Sequence, residues 1–125
     1  MASIGACAIP AGLLLAGDRV EIHFDLAHAG AASGFTFEVD WAATPILNRS
    51  GGNSDSMVTV RADAAVLAVG SHLSAQSWGT VLPFAAGVAA STDAYAAGIT
   101  INFQGRLAQV GDTLTLANYT VVRMP

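Results

Sequence analysis

An antiparallel β-sandwich or jelly roll of about eight strands is the fold this sequence predicts, and three observations carry the expectation. Apolar and polar residues alternate with period two, most clearly in Val20-Glu21-Ile22-His23-Phe24-Asp25-Leu26 and in Thr113-Leu114-Thr115-Leu116. Side chains of a strand point alternately to the two faces of its sheet, so this is the pattern of a half-buried strand, and a helix cannot use it. Each segment is opened by Gly-Asp, at Gly17-Asp18 and at Gly111-Asp112, which is turn chemistry placed before a strand. Turn signals recur about every 8 to 12 residues, the spacing of a sandwich of short strands.

In chain order, Pro10-Ala11-Gly12 breaks the first segment, and Leu13-Leu14-Leu15 leads into the first Gly-Asp turn. From Arg19 onward Val20, Ile22, Phe24 and Leu26 face one way and Arg19, Glu21, His23 and Asp25 the other. Ala27 to Gly34 reads as a small-residue loop. The next strand sets Phe35, Phe37, Val39 and Trp41 against Thr36, Glu38 and Asp40. These two strands are expected to pair as a hairpin, with Phe24 opposite Phe37, Ile22 opposite Val39 and Val20 opposite Trp41, because a one-residue slip would set acids against hydrophobes. That register places Glu21 opposite Asp40 and His23 opposite Glu38.

Thr44 to Leu47 reads as a short strand whose Pro45 marks an edge, and Asn48 to Asp55 as the strongest turn of the chain. Met57 to Asp63 alternates again. Ala64 to Val69 does not alternate and is expected to be a buried strand closed by Gly70. In His72 to Leu82 the alternation weakens, with Leu73, Ala75 and Val81 on one parity and Trp78 on the polar one. Phe84 to Gly98, rich in Ala and Gly, suits a loop or short helix over the end of the sheet. Ile99, Ile101 and Phe103 then alternate with polar residues until Gly105 interrupts.

The chain reads as one domain, 1–125, long enough to bury a core without staples. It is 53% hydrophobic and 11% charged with no lysine, and its mean hydropathy is +0.52. An average soluble domain carries about 25% charged residues, so the charge here is too sparse to cover a lone surface, and burial against further copies is expected. The apolar runs fall far short of the roughly 20 residues of a spanning helix, and strands with aromatic girdles do not recur, so no membrane insertion is expected. The N-terminal stretch lacks the basic region of a signal peptide. Met1-Ala2-Ser3 reads as a start supplied to an excised domain. Cys7, the single cysteine, excludes an internal disulfide and reads as a small buried apolar residue. A net charge of -4 with scattered arginines speaks against nucleic acid.

Motifs for catalysis are missing. Neither a nucleophile elbow, nor zinc-ligand spacing, nor a phosphate-cradling loop occurs. His23, His28 and His72 lack the spacing of a cupin metal centre, so no catalytic residue, metal ligand set or cofactor is assigned. Glu21, His23, Asp25, Glu38 and Asp40 would share one polar face of the hairpin; a solvated face explains them, and hard-cation binding is the alternative. Trp78, between Ser77 and Gly79, and Tyr95, in the small-residue segment, are aromatics that core packing does not require. They are the candidate binding residues, suited to stacking on a sugar face or to a protein contact. Asn48-Arg49-Ser50 and Asn118-Tyr119-Thr120 match the glycosylation acceptor pattern.

The order of segments resembles the jelly-roll domains at the C-termini of bacteriophage tail fibres, tail spikes and related virion proteins. The residues that carry the likeness are Ile9-Pro10-Ala11-Gly12-Leu13-Leu14 with Gly17 to Ile22, Phe35 to Trp41, and Asp112 to Val121. The resemblance implies a non-enzymatic homotrimeric domain in a virion, capping a fibre or spike beside other virion proteins and binding a host surface glycan or protein. A secreted or cell-surface carbohydrate-binding sandwich is the second reading, and a small cupin-like enzyme the third.

Overall fold

In the computed structural model, which describes residues 1–125, the chain forms nine strands. They are β1 (Ala2–Ile9), β2 (Arg19–Ala29), β3 (Phe35–Trp41), β4 (Thr44–Gly51), β5 (Met57–Val66), β6 (Ser71–Gly79), β7 (Ala85–Ser91), β8 (Ile99–Leu107) and β9 (Thr113–Met124). Two antiparallel sheets, ordered β1-β8-β3-β4 and β7-β6-β5-β2-β9, pack face to face as a sandwich. The expected all-β sandwich is the fold, with one strand more than the alternation counts. Two strands come from segments too rich in Ala and Gly to show a pattern, β1 before Pro10 and β7 in place of most of the loop expected between Phe84 and Gly98, while Met57 to Asp63 and Ala64 to Val66, expected as separate strands, join in β5. A single 3-10 turn, Tyr95–Ala97, follows β7.

The alternation assigns faces correctly. Val20, Ile22, Phe24 and Leu26 of β2 and Phe35, Phe37, Val39 and Trp41 of β3 are all buried, within one cluster of 21 core residues. The expected hairpin between them is not formed. β2 hydrogen-bonds to β5 and β9, while β3 lies in the other sheet between β4 and β8. Two apolar faces satisfy the pleat equally well when opposed across a sandwich as when set side by side, so parity fixes the buried face and leaves the partner open. Across the interface Phe24 meets Phe103 of β8 edge to face, with centroids 4.8 Å apart and planes at 64°.

Other boundaries shift for local reasons. β2 runs on to Ala29, into the expected loop, because His28 is buried at its end. β4 extends through Asn48 to Gly51, so the turn begins later, and the non-alternating Ala64 to Val69 stays extended only to Val66, where the β5 to β6 turn begins.

The two Gly-Asp pairs work alike. Gly17 and Gly111 hold φ of 95° and 115°, a region that favours glycine, and each following carboxylate turns inward. Asp18 accepts the backbone N–H of Leu15 at 2.9 Å and Nε of Arg123 at 2.8 Å, tying the last strand to the first turn. Arg123 above all, then the Leu15 amide, holds the Asp18 carboxyl below its ordinary range. Asp112 accepts the amides of Ala32 and Ser33 at 3.2 and 3.0 Å, and the Ser33 amide is the largest cause of its lowered pKa. Much of the sparse acidic charge therefore serves as loop latches.

Candidate functional site

The outward residues of β2, β5 and β6 are exposed or half-buried, while their inward neighbours are closed off. Register then decides which outward side chains meet. His23 stands beside Arg61 and Arg61 beside Gln76; one row away Glu21 stands beside Asp63 and Asp63 beside Ser74. β7 completes both rows with Ala86 and Val88. Because β7 offers small residues, a shallow depression of about 380 Å³ opens over it, rimmed by Arg61, Asp63, Ser74 and Gln76. Arg61 remains half-exposed and lies 4.0 Å from Glu21, which also pairs with Arg19 at 2.9 Å. Planar polar groups of both signs thus line a rigid surface, an arrangement suited to a neutral polyhydroxylated ligand.

Trp78 occupies the row next to Gln76, outward and 40% exposed. Its indole stacks on Phe84, itself 62% exposed, with centroids 6.3 Å apart and planes at 29°. The loop that carries Phe84 is fixed from below. Buried Asp55 accepts the amides of Val81 at 2.8 Å and Leu82 at 2.9 Å, Gly79 N–H bonds Leu82 O at 2.9 Å, and Thr80 N–H bonds Met57 O at 3.0 Å. An exposed aromatic pair on a pinned backbone loses little entropy when it is covered, as a binding anchor requires. The sequence pointed to Trp78 through its parity, which Ser74 and Gln76 share; Arg61 and Asp63 were missed because only register with β5 brings them to this face, and Phe84 because it arrives from the loop before β7.

Tyr95 stands apart. It is half-buried, packs against the core, and its hydroxyl donates to Ala68 O at 3.4 Å, next to the β5 to β6 turn. Trp78 lies at the other end of β6, and the seven residue steps from Ser71 to Trp78 span about 23 Å. The two rings do not form one site. A second, more apolar depression of about 280 Å³ lies beside Tyr95, bounded by Val69, Thr92 and Asp93.

The acidic face expected on the hairpin is divided between opposite sides of the molecule. Glu21, His23 and Asp25 lie on the outer face of one sheet, where they oppose Asp63, Arg61 and Thr59, whereas Glu38 and Asp40 lie on the other sheet beside Gln104 and Asn102. Glu21 does not face Asp40, nor His23 Glu38, and no group of three acid, His or Cys side chains stands in metal-holding arrangement. Nor is Asp40 solvated. It is buried, bonded by Gln104, and set against Glu38. Desolvation first, then the Glu38 carboxyl, pushes its pKa up from 3.8 to about 7.

This gives a pH prediction with a definite sign. A carboxyl raised in the folded state binds more protons there than in the unfolded chain, so its contribution is complete below pH 3.8 and is lost as pH rises through about 7. The lowered Asp18, Asp93 and Asp112 act oppositely, and their contribution is lost as pH falls below about 4. Melting curves should show greatest stability at mildly acidic pH. Asp40→Asn should raise the melting temperature at pH 8 by a few degrees and change it much less at pH 5, removing the decline between them; an equal effect at both would disprove the assignment.

A His-Asp pair also exists, but inside the fold. His28 Nε2 lies 2.9 Å from Asp112 Oδ2 and Nδ1 2.8 Å from Asp55 O, with both side chains almost wholly buried. The ring thus ties the end of β2 to the two loops that carry Asp55 and Asp112. Comparison with family models, with curated proteins and with solved structures gave no match. No helix is long and apolar enough to cross a membrane.

Proposed function

We propose that this is a non-enzymatic recognition domain that binds a host surface glycan through the outer face of the five-stranded sheet, as the trimeric head of a virion fibre or spike. One observation carries the binding reading: the exposed Trp78-Phe84 stack lies on pinned backbone next to the polar depression rimmed by Arg61, Asp63, Ser74 and Gln76. Aromatic faces cover the C–H side of a sugar while planar polar groups bond its hydroxyls, and a rigid sheet presents both without rearrangement. The virion assignment rests on the resemblance in segment order, and the trimer on that resemblance together with a surface too poor in charge for a lone domain. A cell-surface carbohydrate-binding module would use the same face as a monomer, so mass in solution separates the two.

The test is a glycan-array screen of the purified protein followed by titration of the best ligand. Trp78→Ala should weaken binding roughly 5- to 150-fold, the loss expected for about 1–3 kcal/mol at an aromatic anchor, with an unchanged melting curve. Tyr95→Ala should bind as the parent does. Normal binding by Trp78→Ala, or loss only in Tyr95→Ala, would move the site to the opposite end of the sheet.

A further inference from the structure

We propose that the flank formed by β1 and β9 is the surface through which three copies of this chain join, the free edge of β9 in each copy meeting the free edge of β1 in the next. The inference rests on the trimeric reading above and assigns it a surface. β1 ends one sheet and β9 ends the other; each is hydrogen-bonded on one side only, and the two lie beside each other.

The open edge of β9 can be placed residue by residue. Even-numbered positions along β2 bond toward β5, as Val66 N–H to Asp18 O at 2.9 Å and His28 N–H to Ser56 O at 3.0 Å show. Odd positions therefore bond β9, through Thr120, Val122 and Met124. Tyr119, Val121 and Arg123 are left with backbone groups directed outward. Edge strands are ordinarily guarded by lysine, proline or unpaired charge. Here neither strand contains lysine or proline, and the only charged side chain on the two, Arg123, is held by Asp18. A bulge between Asp25 and Leu26 interrupts the ladder, yet the run from Asn118 to Met124 beyond it is regular.

Apolar side chains line the seam without being closed over. Ile4, Leu114, Leu116 and Val121 are half-buried, and Tyr119 and Val122 are 45% and 43% exposed. Open backbone donors and acceptors call for another strand. A second copy fits this flank because, with no unpaired charge on it, identical surfaces approach without repulsion despite the net charge of -4. At each junction the 12 residues of β9 in one copy would run along the 8 of β1 in the next. A two-fold pairing of β9 with itself would leave β1 open, whereas a three-fold ring covers both edges of every copy.

Light scattering and sedimentation at micromolar protein test this. The parent chain should run at three times 12.7 kDa. Ala6→Lys with Val122→Lys, at exposed positions of β1 and β9, should run at the monomer mass with unchanged circular dichroism, while Val88→Lys on β7 of the opposite flank should stay trimeric. If the double variant does not fold, Thr120→Lys reads the same edge from one exposed position. A monomeric parent overturns the trimer itself. A trimeric parent whose lysine variants on β1 and β9 remain trimeric, or which is broken by Val88→Lys instead, leaves the trimer standing and overturns this flank.

Discussion

Phe103→Ala is expected to cost about 3–5 kcal/mol, the range for deleting a fully buried aromatic ring. Phe103 is completely buried at the centre of β8, edge-on to Phe24 of the facing sheet and 5.3 Å from Tyr119 of β9. Its removal opens a cavity between two sheets whose backbones are fixed by their own ladders and collapse poorly. Denaturant melts of Phe103→Ala, Phe24→Ala and the double variant measure the contact. A coupling of about 0.5–1.5 kcal/mol beyond simple addition is expected for an aromatic pair. Coupling of Phe24 to Phe37 that exceeded its coupling to Phe103 would favour the hairpin over the sandwich.

His28→Leu should lower the melting temperature by roughly 10 °C or more, because it leaves the buried Asp112 carboxylate without one of its hydrogen-bond partners. Asp112 would keep its amides from Ala32 and Ser33 and lose the imidazole, while Asp55 O would lose its contact with the ring. The damage should reach the aromatic pair, since Asp55 holds both His28 through its carbonyl and the Val81-Leu82 amides through its carboxylate. His28 is thus a positioning residue. Adding Asp112→Leu to His28→Leu should cost less than the two single changes summed, as the stranded carboxylate is then gone. Simple additivity would show that the pair does not act as a unit.

What could be read before folding follows from what each residue answers to. Inward positions answer to the pleat, so Val20 to Leu26 and Phe35 to Trp41 are assigned to the core by parity alone. Their partners answer to the other sheet, and nothing local in Glu21 or Asp40 says that they stand on opposite sides of the molecule. Ala85 to Ser91 forms a strand through its ladder with β6 rather than through any pattern of its own. Trp78 was legible as an aromatic on the polar parity of its strand. Tyr95 resembled it only in having small neighbours, and the structure turns its ring toward the core. Gln76 shares the parity of Trp78 on β6, whereas Arg61 comes beside Gln76 through register with β5 and Phe84 comes beside Trp78 through the loop that Asp55 pins.

The binding face is tested most directly by tryptophan fluorescence, since the chain carries one wholly buried indole, Trp41, and one exposed, Trp78. Acrylamide should quench Trp78 and spare Trp41 in the free protein. Adding the strongest glycan from the array should shift the emission to the blue and protect Trp78, with a concentration dependence equal to that of binding, and Trp78→Ala should show neither change. A glycan that binds at the same affinity while Trp78 stays fully quenchable would contradict the assignment of the outer sheet face as the receptor surface.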